Sequence, residues 1–155
     1  MNNDNIKTEN LPNLLGSFEA KALNQFHYLS KFGFGVPNIK KSSTWVLLQY
    51  QNEIGVVKIN FSVLDQTIYT DILKIMHNGE IAKTTDNNNT ISLSSLVMYH
   101  DPNNPIFEKL HVRNGDFEEP LAISAELLKR YGSEILSGQK WISEKQALEK
   151  INRKV

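Results

Sequence analysis

The chain has 155 residues, enough to form one hydrophobic core of ordinary size without covalent staples. Lys plus Arg and Asp plus Glu number 17 each, so the formal net charge is zero and there is no electrostatic footprint for polyanion binding. The absence of cysteine excludes disulfides, thiol catalysis and thiolate metal sites, and four scattered histidines leave little from which to build a transition-metal site.

The first residues are polar and rich in asparagine, with no basic region followed by an apolar run, so no secretory signal is expected. No stretch approaches the roughly 18 uninterrupted apolar residues of a membrane span. These features predict a cytoplasmic protein with a flexible tail over residues 1–15 and a single domain over 16–155. From Ser17, a plausible N-cap, Phe18, Ala22, Phe26 and Leu29 recur at helical spacing. Gly33, Gly35 and Pro37 end that helix, and residues 37–43 read as a loop.

The period then changes from helical to alternating. Residues 44–51 (TWVLLQYQ) are rich in β-branched and aromatic side chains. Over residues 54–64, Val57, Ile59, Phe61 and Val63 alternate with Lys58, Asn60 and Ser62. A third strand is predicted over 67–77, and Asn78-Gly79 is a strong turn signal leading to a short strand over 80–84. The expectation is an α+β fold with a four-stranded antiparallel meander, whose polar side stays open while helices cover the other.

Residues 86–89 (DNNN) form a loop, after which Thr90 or Ser92 can cap a short helix carrying Leu93, Leu96 and Val97. Pro102 and Pro105 break the pattern, and residues 107–117 read as irregular. Pro120 suits the opening of a helix with Glu118 and Glu119 at its positive end and Leu121, Ala125, Leu128 and Ile135 inward, which Gly138 should stop. Ser143 and Gln146 have capping-box spacing, placing a last helix over 143–152. With the N-terminal helix, this gives two to three C-terminal helices, all packed mainly on one sheet face.

The sequence holds no motif that carries catalysis. Gly33-Phe34-Gly35 lacks the third glycine and the strand-to-helix setting of a nucleotide loop. His100, Asp101 and His111 fit no compact ligand spacing. There is no G-x-S-x-G elbow, H-E-x-x-H helix or phosphate loop, and the neighbouring Glu118 and Glu119 point about 100° apart on a helix. The expectation is a non-enzyme with no cofactor and no metal. What remains is surface: Lys58, Asn60 and Ser62, with Gln49 or Tyr50 and with Tyr69 and Asp71, should form a flat polar and aromatic patch on the open side of the sheet. Trp45 and Trp141 are further anchor residues.

Four segments carry a resemblance: FHYLSKFGF (residues 26–34), WVLLQYQN (45–52), VVKINF (56–61) and LAISAELLKRYGSEILSGQKW (121–141). In pattern and spacing they resemble small bacterial immunity proteins found beside polymorphic toxins. The resemblance implies a protein partner, a cognate toxin whose active site is occluded by binding, and no need for catalytic groups. The balanced charge departs from strongly acidic nuclease inhibitors and argues against a nuclease as that toxin. Neither nucleic acid nor membrane is expected as a partner, and the chain should be a monomer or weak homodimer. The alternative is a small-ligand-binding or enzymatic α+β domain with a pocket between the sheet and the C-terminal helices.

Overall fold

The computed structural model describes residues 11–153, with side chains from Asn13 onward. The chain runs α1 (Leu11–Gln25), a 3-10 segment (His27–Phe32), β1 (Asn38–Lys41), β2 (Trp45–Gln51), β3 (Gly55–Ser62), β4 (Thr67–Lys74), β5 (Thr90–Ser92), α2 (Leu93–His100), α3 (Ile106–Lys109), α4 (Glu118–Leu136) and α5 (Glu144–Asn152). The five strands form one antiparallel sheet in sequence order. No helix of the described residues is long and apolar enough to cross a membrane.

The α+β architecture agrees with the sequence reading, but the sheet has five strands rather than four. Residues 80–84 do not form the predicted strand. The Asn78-Gly79 turn is made, with Gly79 at φ +83°, yet the pairing stops after a single Ile75–Ile81 bridge. Ala82 instead turns inward against Val56 and Leu73, joined by Ile75, Met76 and Ile81. The vacated edge of β4 is taken by β5, where Ile72 faces Ile91 and Asp71 faces Ser92. At the other edge, part of the predicted loop is β1: Ile39 pairs with Leu48 and packs against the core, and the Ser42 hydroxyl accepts the N–H groups of Thr44 and Trp45 in the connecting turn.

The helices also shift at their margins. α1 begins at Leu11, not Ser17, so residues 11–15 are helical and Leu15 is buried, while residues 1–10 of the predicted tail lie outside the described part. Phe18, Ala22, Phe26 and Leu29 are all buried as their spacing predicts, although the α-helix tightens to a 3-10 segment before Gly33 closes it at φ +81°. α2 is capped by Ser92, whose hydroxyl accepts from the Ser95 N–H. α3 is a single turn within a stretch expected to be irregular. α5 carries the predicted capping box between Ser143 and Gln146.

The core lies between the helices and one face of the sheet. Val46, Leu48 and Tyr50 of β2, Val57, Ile59 and Phe61 of β3, Ile68 and Ile72 of β4 and Ile91 of β5 all point into it. At its centre Phe61 meets Phe18 of α1 at 5.3 Å and Phe117, which precedes α4, at 4.9 Å; Phe18 and Phe117 are 5.3 Å apart. One stacked and two edge-to-face contacts are the favoured arrangements of aromatic quadrupoles. Near the α4 midpoint, the Tyr28 hydroxyl donates to the Ala125 carbonyl at 2.9 Å, and burial holds its pKa far above the usual phenol value.

Truncating Phe61 to alanine opens a cavity at this junction, so urea unfolding of Phe61→Ala should show a loss of about 3–5 kcal/mol. Val36→Ala, at a residue 95% exposed, should stay within about 0.5 kcal/mol of the parent.

Candidate functional site

Strand alternation sends the residues between the core positions to the opposite face, which the helices do not cover. The register arranges them in rows. Asn38, Gln49, Lys58, Asp71 and Ser92 lie side by side across all five strands. The next row is Lys40, Leu47, Asn60 and Tyr69, and the one after it Trp45, Ser62 and Thr67. Neighbours within a row are separated by about 5 Å, close enough for side chains to act together on one ligand surface. Thus Gln49, Lys58, Asn60, Tyr69 and Asp71, singled out from the sequence, come together on one face. Of the Gln49 and Tyr50 alternatives, Gln49 belongs there, because Tyr50 points into the core, where burial pushes its hydroxyl up to about 12.

This open face is not uniformly polar. Trp45 is 37% and Tyr69 45% exposed, and half-buried Leu47, two residues from Trp45 on β2, lies across Asn60 from Tyr69. The β3–β4 turn next to the Trp45 row adds Leu64, 82% exposed. In the middle, Asn60 Oδ1 is shielded from solvent yet has no hydrogen-bond partner in the structure. The Tyr50 hydroxyl and Thr70 Oγ1 on the core side are likewise shielded and without a partner in the structure.

The face is closed at one end and one edge. Residues 75–82 fold over Val56 and Leu73, covering the Gln51 end. Beyond β5, the Glu144 carboxylate accepts from the Ser92 N–H at 2.9 Å, from the Ser92 hydroxyl at 3.0 Å and from the Ser95 hydroxyl. These bonds fasten the start of α5 to the N-terminus of α2, where the helix dipole favours a negative charge. Asp71 stands near this anchor. Burial, reinforced by the charge of Glu144 and opposed by Lys58, pushes its carboxyl up to about 6.

Comparison with protein-family models, with curated proteins and with solved structures gave no match. The residue-level geometry therefore carries the functional argument.

The remaining candidates fall elsewhere. Gly33 and Gly35 end the 3-10 segment and lead to β1, with the Gly33 and Phe34 N–H groups bonded to Ser30 and Leu29 carbonyls. His100 stacks on Tyr131, ring centroids 5.2 Å apart, and burial with the nearby Lys150 and Lys140 charges lowers its pKa against the opposing pull of Glu134. His111 lies 3.5 Å from the Thr67 hydroxyl on the far side of β4 from β3. Among the described residues, no three His, Asp or Glu side chains gather as a metal site. Lys41 pairs with Glu19 at 2.7 Å, and Glu118 with Lys21 at 3.5 Å.

A cavity of about 220 Å³ lies between the sheet and the end of α4, in the region where the alternative reading put a pocket, although the sequence did not name its lining residues. Trp141 forms part of its wall, with its indole N–H donating to the Asn88 carbonyl at 3.1 Å and the Lys74 ammonium 5.6 Å from its ring centroid. The available signal was a lone tryptophan after a helix-stopping glycine, which does not specify what it packs against.

Because Asp71 binds its proton more tightly when folded than its ordinary value of 3.8 would allow, its contribution to stability is fully present below about pH 4 and is lost as pH rises through about 6. Asp71→Asn should therefore raise the urea midpoint at pH 8, leave it nearly unchanged at pH 4, and flatten the profile between them.

Proposed function

We propose that the chain is a non-enzymatic protein-binding module that docks a partner on the open face of its sheet, acting as an immunity protein that occludes the active site of a cognate bacterial toxin. The observation that carries this reading is the open face itself. A sheet face exposed only to solvent is mostly polar, whereas this one sets Trp45, Leu47 and Tyr69 among Gln49, Lys58 and Asn60. Tyrosine and tryptophan bury large areas at little cost in side-chain entropy, and Lys58 and Gln49 supply polar contacts beside them. The resemblance of the four sequence segments to immunity proteins supplies the class of partner. Inhibition by occlusion needs complementarity of shape and hydrogen bonding and no reacting group.

The direct test is co-expression with the protein encoded beside it, scoring host survival and co-purification. Rescue with a stable complex is the expected outcome. Tyr69→Ala and Lys58→Glu should then each weaken the complex by at least about 2 kcal/mol, roughly 30-fold in Kd, while leaving the Tm within a few degrees of the parent. A complex whose affinity is indifferent to both substitutions would place the docking surface elsewhere and overturn the reading.

A further inference from the structure

The cavity beside Trp141 is separate from the rows of the open face and has its own chemistry. The β2–β3 turn, the end of β4 and the segment following α4 enclose it. Phe34, Ile54, Leu73, Leu136 and Trp141 provide most of an apolar wall. Two features maintain the hollow. The Asn52 side chain shapes the turn, donating to the Phe32 carbonyl at 2.9 Å while its oxygen accepts from the Ile54 and Gly55 N–H groups at 2.8 and 2.9 Å. Gly138, at φ +79°, lets the chain pass against Ile54; a Cβ there would come within 2.6 Å of Ile54 Cδ1.

The polar side chains on the wall are unequal in what they offer. Asn52 and the Trp141 N–H are committed to the bonds already described. The charged residues lining the cavity are Lys74 and Lys140, with no carboxylate among them. Lys74 lies over the Trp141 ring, which aligns its stem with the apolar wall and leaves its ammonium exposed at the rim. An apolar hollow with two cations and no acid is complementary to a molecule that has a hydrophobic body and an anionic end. We propose that this cavity is a binding site for a small hydrophobic carboxylate, its hydrocarbon part against Trp141 and Leu136 and its carboxylate at the lysines. The site is independent of the partner-binding reading, and either can fail without the other.

The test uses the full chain carrying Trp45→Phe, which leaves Trp141 as its only tryptophan. The probes are 3-phenylpropanoate and octanoate, each compared with its neutral amide, read by tryptophan fluorescence and by amide shifts in a 1H–15N spectrum. The expected result is saturable binding of at least one acid, about tenfold or more tighter than its amide, with shifts centred on Gly55, Gly138 and the Trp141 indole. Lys74→Gln should remove most of the preference for the acid, and Lys74→Arg should retain it. These exposed positions allow substitution without disturbing the core, and the unliganded spectrum checks that the fold is kept. Equal affinity for acid and amide would overturn the anionic assignment. No saturable change with either acid up to about 5 mM, or shifts spread over surface lysines, would overturn the site.

Discussion

Three phenylalanine rings hold together parts of the chain that are far apart in sequence. Phe18 belongs to the first helix, Phe61 to the middle strand and Phe117 to the residue before the long helix α4, and each touches the other two. All three are fully buried. The contact fixes where α1 lies beneath the sheet and where α4 begins, and α2 and α4 together then cover the β4 side of that face. Interiors are packed densely enough that such a junction cannot drift without disturbing its neighbours.

Placing the helices on one side determines what the other side can do. Side chains alternate, so the strands that supply Val57, Ile59 and Phe61 to the core must also present Lys58, Asn60 and Ser62 outward. The outward rows inherit the rigidity of the packed face, which suits recognition because little further ordering is required on binding. The folded-back segment 75–82 and the Glu144 anchor limit the extent of the exposed surface. The edge strand β1 is short, follows Pro37 and carries Lys40 and Lys41, features that discourage edge-to-edge pairing and leave the face as the more suitable surface for association.

Much of this was legible in the sequence because it depends on periodicity. The stripe of Phe18, Ala22, Phe26 and Leu29, the alternation from Val57 to Phe61 and the Ser143 capping box are local patterns, and the structure reproduces them. The grouping of Gln49, Lys58, Asn60, Tyr69 and Asp71 follows from the same alternation once the strands are paired. The fourth strand was misplaced because Asn78-Gly79 specifies a turn but says nothing of how far pairing continues beyond it; the ladder ends at the Ile75–Ile81 bridge, and β5 takes the edge of β4. β1 and β5 span four and three residues, too few for a period to emerge, and each is held by its neighbour's hydrogen bonds. The hold of Glu144 on Ser92 and Ser95 and the cavity at Trp141 join residues about fifty or more positions apart in the chain, a relation no local window contains.

The order of the strands also bears on how the chain reaches this state. Each strand pairs with the one before it in sequence, so β1 to β4 can assemble as successive hairpins at low loop-closure cost, ahead of the helices that follow them in the chain. α1 can cover the β2 side at once, but Ile68 and Ile72 of β4 would stay uncovered until α2 and α4 arrive. During translation that apolar surface is open to other chains, and the interval before α4 docks is when aggregation competes most strongly with folding.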